Sequence, residues 1–220
     1  MFKYIPNFIS EITPYAIKLY FKKKRKFNSI DDLDRKMLKY INYEDGFFIE
    51  CGAYDGVDKS NSWHYEKFLN WKGILIEPLP DKFIDLKKNR SDKNHYFEVA
   101  LVNSKFKEKT IELINLGLTT IFKTLNKKDI NINSTITVKT KTLTSILEES
   151  NSPKVIDFFS LDVEGAESVV LEGINFEKYT FKYLLIETEN FDKINKYLQE
   201  KRYIFLEKLS HHDFLFSKEK

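Results

Sequence analysis

The chain has few of the residues on which several common kinds of structure depend. Its 220 residues include one cysteine, Cys51, so no disulfide can close within the chain and no cysteine-rich zinc cluster is available. No apolar stretch reaches the roughly 18 residues that cross a bilayer. Lys3, Glu11 and Lys18 interrupt the first twenty residues, so no secretory signal is expected. These absences predict a cytoplasmic protein of the globular class.

Neither sign of charge is in large excess. The chain has 36 lysines and arginines against 33 aspartates and glutamates, a net charge of +3, which gives a general nucleic-acid role little support. The local exception is KKKRK, which begins at Lys22 and ends at Lys26. We interpret this run as a solvated helix end, with peripheral contact to an anionic membrane or an acidic partner as the alternative. The oligomeric state does not follow from these features.

Short apolar runs alternate with helical patterns from residue 46 onward. Strands are predicted near 47–49, 73–77, 96–102, 155–161 and 183–187, with a closing antiparallel pair near 203–206 and 214–216. Strands separated by helices of this length predict an α/β fold with a mostly parallel, doubly wound sheet.

Two parts of the chain stand outside this alternation. Residues 103–141 contain alternating segments at 110–114 and 135–139, which favour antiparallel additions or a loop-rich insertion. Residues 1–45 have helical character, with Ser29 and Asp32 spaced as a helix-capping pair. We therefore expect an N-terminal helical extension over 1–45 and one domain over 46–220.

Four of the predicted parallel strands end on a carboxylate. These residues are Glu50, Glu77, Asp162 and Glu187. Ligands of open parallel sheets bind beyond the carboxyl ends of the strands, so the four side chains should meet at one rim. Such a rim repels phosphates and attracts cations.

The stretch FFIECGAYDG indicates which ligand this rim suits. Counted from Gly52, the next two glycine positions of a dinucleotide fingerprint hold Tyr54 and Val57, and no P-loop lysine follows. The turn therefore lacks the features that bind a pyrophosphate. S-adenosylmethionine fits better, because it has a sulfonium, an ammonium and ribose hydroxyls but no phosphate. Glu77 is placed to accept both ribose hydroxyl hydrogens.

Several ordered motifs resemble one known family. The segments FIECGAYDGVDKSNS, WKGILIEPLP, TVKTKTL and LDVEGAESVVLEG together resemble the FkbM methyltransferases, over a region that begins at Phe47 and ends at Glu189. The resemblance implies the class I, Rossmann-like methyltransferase fold and S-adenosylmethionine as cofactor. It also implies methylation of hydroxyl oxygens on sugars or polyketide-type small molecules.

Cofactor-binding residues follow from the same resemblance. Glu50, where the family often has aspartate, belongs to the first cofactor loop, Glu77 and Pro78 to the ribose-binding strand end, and Asp162 lies beside the methyl group. The remaining positions implied to bind cofactor are Gly52, Ala53, Asp55, Gly56, Ser60, Asn61, Ala100 and Leu101. Ser60 and Asn61 are expected near the cofactor carboxylate, and Ala100 and Leu101 beside the adenine.

The segment DVEG raises two chemical alternatives. A sugar hydroxyl is a poor nucleophile at neutral pH and must lose a proton as it reacts, so the site needs a base or a metal. Asp162 or Glu164 can serve as the general base, although Glu164 can also be purely structural. Alternatively, Asp162 gathers Glu187, Glu189 and Asn190 around magnesium, a cation that binds oxygen ligands.

Two functions are compatible with these residues. The first is an O-methyltransferase acting on a small-molecule or glycan hydroxyl, with surface-glycan synthesis as the expected pathway. The second is a non-catalytic relative that retains the fold and acts through partner contacts. A nucleic-acid methyltransferase is disfavoured, because the NPPY-type signature of base-amine methylation is absent.

Overall fold

The computed structural model of this chain describes residues 26–115, 120–122 and 135–219. Strands and helices alternate there as the apolar runs predict. The strands are β1 (Phe47–Cys51), β2 (Lys72–Ile76), β3 (His95–Phe97), β4 (Ala100–Leu101), β5 (Thr110–Asn115), β6 (Thr120–Phe122), β7 (Thr135–Lys141), β8 (Val155–Leu161), β9 (Thr180–Glu187), β10 (Tyr203–Lys208) and β11 (Asp213–Lys218). The helices are α1 (Leu33–Met37), α2 (Trp63–Leu69), α3 (Pro80–Asn89), α4 (Leu143–Glu149), α5 (Glu167–Leu171) and α6 (Phe191–Glu200).

The central sheet has seven strands in the order β3-β2-β1-β8-β9-β11-β10. β3, β2, β1, β8 and β9 are parallel, whereas β11 runs antiparallel to both of its neighbours. The strand order reverses between β1 and β8, which is the switch point of a doubly wound sheet. The predicted α/β fold with a closing antiparallel pair is confirmed.

The register brings the carboxyl ends of four strands to one line. Cys51 pairs with Ile76 on one side and Leu161 on the other, and Leu161 pairs with Ile186. The chain therefore leaves β1, β2, β8 and β9 at the same edge of the sheet. Any ligand at the switch point lies against this edge.

Packing on both faces of the sheet explains its apolar strands. In β1, Phe47, Ile49 and Cys51 belong to the core cluster that includes α4, α5 and α6. Phe48, which points to the opposite face, packs in a second cluster with Trp71. Since helices cover both faces of a parallel sheet, its strands are near-continuous apolar runs.

A smaller sheet has the order β4-β7-β5-β6. Its strands β5 and β7 pair antiparallel, which confirms antiparallel additions in this region. The prediction of one strand over 96–102 is wrong, because β3 pairs with β2 whereas β4 pairs with β7 of the small sheet. The chain therefore changes sheets between Phe97 and Ala100. Residues 116–119 and 123–134 of the insertion lie outside the described residues.

The segment before β1 differs from the predicted capping pair. Asp32 has a left-handed backbone with φ of 55°, and Ser29 Oγ instead accepts the backbone N–H of Asp34 at 2.9 Å. The Asp34 carboxylate in turn accepts the Ser29 N–H at 3.3 Å, so the reciprocal pair is Ser29 and Asp34. The helix α1 that follows has only five residues, and its Leu33 packs in the second core cluster.

Residues 1–25 lie outside the described residues, and they include the KKKRK run up to Arg25. The boundary at residues 45 and 46 therefore stays a prediction. In the part of the chain that the structure describes, no helix combines the length and the apolar character needed to cross a bilayer.

Candidate active site

An open cleft lies at the carboxyl edge of β1, β2 and β8. Most of the predicted site residues line it. These are Glu50, Gly52, Ala53, Ser60, Asn61, Glu77, Pro78, Ala100, Leu101, Asp162 and Glu164. The lining does not include Asp55, Gly56, Glu187, Glu189 or Asn190. The structure thus brings together residues from positions 50 to 164 at the predicted edge.

Gly52 joins two strand ends at the floor of the cleft. Its φ is +79°, and a Cβ at this position would lie 2.0 Å from the backbone oxygen of Asp162. The N–H groups of Gly52 and Ala53 both donate to the Ile76 oxygen, at 3.1 and 3.0 Å. Only glycine combines this backbone conformation with such a close approach. This is the physical reason for the glycine after β1.

Glu77 presents a buried carboxylate to the cleft. Its two oxygens accept the backbone N–H groups of Tyr54 and Leu79, each at 2.9 Å. Burial raises the pKa of Glu77 from 4.5 to about 7, although the two N–H groups favour the charged form. A carboxylate accepts several hydrogen bonds, so Glu77 can still receive ligand hydroxyls.

Glu50 lines the cleft but is engaged by the protein itself. Its carboxylate accepts the Ser60 hydroxyl at 2.9 Å, the Ser62 hydroxyl at 2.5 Å and the Asn61 N–H at 2.7 Å. The Arg90 guanidinium lies 3.3 Å away. Glu50 therefore orders residues 60–62, and its predicted contact with the ligand stays a prediction.

Asp55 and Gly56 lie behind the cleft, which corrects the prediction that they contact the ligand. Asp55 is fully buried, and its Oδ1 accepts the N–H groups of Val57 and Asp58, both at 2.8 Å. A short carboxylate next to a turn forms such local bonds readily. Gly56 has φ of +79°, and a Cβ there would lie 2.7 Å from Arg90 Cγ. Both residues shape the loop that carries the lining residues.

Asn61 is a buried loop residue that lines the cleft, and its side-chain amide has both donor and acceptor atoms. Its Nδ2 donates to Ser160 Oγ at 3.0 Å. Its Oδ1 is buried and has no hydrogen-bond partner among the described residues. An acceptor oxygen in this state is costly unless a ligand donor reaches it.

The carboxylates after β8 and β9 repel one another. Burial first, and then the charges of Glu187 and Glu164, raise the pKa of Asp162 well above its usual range. Burial and Glu187 also raise the pKa of Glu164, while Lys59 lowers it. The cleft thus holds a carboxyl group that binds a proton more tightly than an ordinary aspartate.

The four residues predicted to hold magnesium do not form a metal centre. Asn190 caps α6, where its Oδ1 accepts the Lys193 N–H at 3.4 Å. Glu189 is exposed. Across residues 26–115 and 135–219, no group of three histidine, cysteine, aspartate or glutamate side chains is arranged to bind a metal ion. The arrangement therefore does not fit a preformed magnesium site.

The sequence motifs do not single out Arg90. This residue hydrogen-bonds to several of the segments that form the cleft. It is buried at the end of α3 and contacts Glu66 on α2 and Glu50 on β1. One signal could have found it: it is one of only four arginines among 36 basic residues. Arginine in a lysine-rich chain indicates a site that needs a planar, multiply donating group.

The solved structures to which the chain is similar are distant from it in sequence. The chain is similar to the methyltransferase FkbM from Methylobacillus flagellatus KT, with 13% identity and a TM-score of 0.49, over 92% of this chain and 59% of that one. It is also similar to the METTL16 MTase domain, with 10% identity and a TM-score of 0.46, over 84% of this chain and 64% of that one. A third similar structure is precorrin-6y C5,15-methyltransferase from Geobacter metallireducens GS-15, with 9% identity and a TM-score of 0.45, over 86% of this chain and 87% of that one. The chain spans less than two thirds of the length of the first two structures.

A comparison with curated proteins finds no match. The family model described as the methyltransferase FkbM domain matches residues 50–205, which include the cleft and six of the seven strands of the central sheet in whole or in part. Together with the sheet order, this match confirms the predicted class I methyltransferase fold. The chain belongs to the FkbM methyltransferase family.

Proposed function

We propose that this protein is an S-adenosylmethionine-dependent O-methyltransferase that acts on a hydroxyl of a sugar or a similar small molecule, in surface-glycan synthesis. The charge of the cleft carries the proposal. Its lining residues include five carboxylates, Glu50, Asp58, Glu77, Asp162 and Glu164, and one cation, Lys59. This balance suits a cationic donor without phosphate and opposes a pyrophosphate.

The lining residues fit the parts of such a donor. The Glu77 carboxylate, fixed by two N–H groups, accepts ribose hydroxyls, and the unpartnered Asn61 Oδ1 accepts an ammonium. Ala100 and Leu101, both buried, give an apolar wall for the adenine. When bound, S-adenosylmethionine supplies a methyl group on a positively charged sulfur.

Asp162 is the proposed general base. Its ionised carboxylate takes the proton of the acceptor hydroxyl as that oxygen attacks, so the hydroxyl does not have to ionise beforehand. The raised pKa makes Asp162 a stronger base than an ordinary aspartate. Glu187 and Glu164 raise that pKa by their charge and therefore tune the base. No step is assigned to magnesium.

The test is a turnover assay monitored by mass spectrometry, with S-adenosylmethionine and a panel of nucleotide sugars and glycan fragments. Asp162→Asn keeps the shape of the side chain but removes the base, so we expect turnover to fall by about 10²- to 10⁴-fold. Binding of S-adenosylhomocysteine is measured in the same variant, so that a loss of turnover with binding retained is attributed to the missing base and not to a lost donor site. A chelator should leave turnover unchanged.

Asp192→Asn, which removes an exposed carboxylate from α6, is the matched control and should keep full turnover. Full turnover in Asp162→Asn would overturn the assigned base. Binding of the donor without turnover of any acceptor would instead support the non-catalytic relative. Methylation of amines but not hydroxyls would contradict the O-methyltransferase assignment.

A further inference from the structure

We propose that Arg90 is the positioning residue of the donor site, and that it acts through Glu50, Ser60 and Ser62 to present Asn61 Oδ1 to the ligand's ammonium group. This inference rests on the proposed function, because it concerns how the same cleft holds its donor. Arg90 itself does not line the cleft. Its effect on the ligand is therefore indirect.

Arg90 joins four separate pieces of the chain. Its Nε donates to Glu66 on α2 at 2.7 Å, and its Nη2 donates to Ser62 Oγ at 2.8 Å. Its Nη1 faces Glu50 at 3.3 Å, and the Gly56 oxygen and Ser60 Oγ, each at 3.1 Å. The side chain is fully buried. All three guanidinium nitrogens are thus used inside the protein.

Glu50 is the second charged residue of this hydrogen-bond network. It accepts the hydroxyls of Ser60 and Ser62 and the backbone N–H of Asn61. The side chains of Ser60 and Ser62, on both sides of Asn61, are therefore held by a buried, oppositely charged pair. A network of this kind, in which the members satisfy one another, fixes a single local geometry.

Asn61 is the residue through which this hydrogen-bond network is expected to contact the ligand. Its backbone N–H is fixed by Glu50 and its Nδ2 by Ser160, which leaves Oδ1 as its remaining polar atom. That oxygen is buried, belongs to a lining residue and has no partner among the described residues. It requires a hydrogen-bond donor, which the ligand's ammonium supplies and its carboxylate does not. This differs from the carboxylate contact expected from the motif.

Lysine cannot replace Arg90 in this role. The guanidinium has five N–H groups in a planar fork, whereas an ammonium is a single point of charge with three donors. Arg90→Lys therefore keeps the positive charge between Glu50 and Glu66 but loses some of the hydrogen bonds that the guanidinium donates. Ser62→Ala is a milder second variant, because it removes one member without leaving a buried charge unpaired.

The test measures S-adenosylhomocysteine binding by isothermal titration calorimetry in Arg90→Lys, Asn61→Ala and the double variant. A misplaced hydrogen bond to a charged group weakens binding by about tenfold or more, so both single variants should lose about that factor. Because Arg90 acts through Asn61, the double variant should bind within about twofold of Asn61→Ala. Ser62→Ala should weaken binding by about threefold or more on the same grounds.

Leu198→Ala is the stability control. It opens a cavity beneath α6, away from the cleft, and should lower the unfolding temperature while changing the dissociation constant by less than about twofold. If the losses in Arg90→Lys and Asn61→Ala multiply in the double variant, the positioning role is overturned. If Arg90→Lys does not fold, unchanged binding in Ser62→Ala overturns it equally. If the wild-type protein binds no S-adenosylhomocysteine, the proposed function fails first, and the two failures are thereby distinguished.

Discussion

Glu77→Gln should change how the stability of the protein depends on pH. The folded-state pKa of Glu77 is about 7, and that of an unperturbed glutamate is 4.5. Between these values the folded protein holds a proton that the unfolded chain has lost, so the free energy of unfolding falls as pH rises. Below 4.5 the stabilisation is fully present, and above about 7 it is lost.

The magnitude follows from the same two values. A pKa difference from 4.5 to about 7 corresponds to about 3 kcal/mol, at about 1.4 kcal/mol per pH unit. The side chain is 5% exposed, so solvent screening does not reduce this figure much. Glutamine does not titrate. The unfolding free energy of Glu77→Gln relative to wild type should therefore rise by about 3 kcal/mol between pH 4.5 and about pH 8.

Denaturant unfolding at a series of pH values checks this expectation. Glutamine leaves one of the Tyr54 and Leu79 N–H groups without an acceptor, which lowers the free energy of unfolding at every pH by about 1–3 kcal/mol. This constant loss shifts the plot of unfolding free energy against pH downward without changing its slope. Asp162, Glu164, Glu167 and Asp213 also have raised pKa values, but they contribute equally to both proteins. Glu200→Gln, an exposed substitution on α6, is the control. Parallel curves for wild type and Glu77→Gln would refute the reasoning.

Two other substitutions test the packing around the cleft. Gly52→Ala should lower the free energy of unfolding by well over the roughly 1–2 kcal/mol of a left-handed alanine, because its Cβ meets the Asp162 backbone oxygen at 2.0 Å. Gly165→Ala, with φ of +94° and open space around the new Cβ, should cost only the backbone strain in the same denaturant unfolding assay. Equal losses of unfolding free energy in the two variants would contradict this explanation. Tyr65→Phe removes a hydroxyl that donates to the Asp34 oxygen at 2.6 Å and should lower the unfolding free energy by about 1–2 kcal/mol. Donor affinity measured by calorimetry should not change in Tyr65→Phe, and a large loss of affinity would show that the segment around α1 acts on the site.

The sequence was most informative where a local rule decides the structure. An apolar run halted by Pro78 predicts that β2 ends beside Glu77, and the paired register of β1 and β2 places that carboxylate in the cleft. The predicted edge is right because parallel strands share their direction. Sequence patterns thus locate the rim, but not which rim residues face the ligand.

The roles of the two loop carboxylates depend on contacts that the local pattern does not contain. Glu50 is turned toward Arg90, which lies forty residues further along the chain, and no spacing rule links the two. Asp55, in contrast, obeys a local rule, since a short carboxylate two residues before an N–H group favours an Asx-type turn. That rule predicts a loop-forming role and competes with the assignment to the ligand.

The change of sheet after Phe97 also depends on distant pairing. Residues 95–101 contain no glycine or proline that would mark the end of a strand. β4 leaves the central sheet because its partner, β7, lies about forty residues later in the chain. Pairing between strands of that separation is a tertiary property, which single-sequence patterns do not record.

The most direct test of the donor site is a calorimetric titration of the wild-type protein with S-adenosylmethionine, repeated in the presence of S-adenosylhomocysteine and, separately, of NAD and ADP. We expect one donor site per chain, competition by S-adenosylhomocysteine and no competition by either phosphorylated nucleotide. Binding of NAD or ADP in the cleft, with no binding of S-adenosylmethionine, would contradict this expectation.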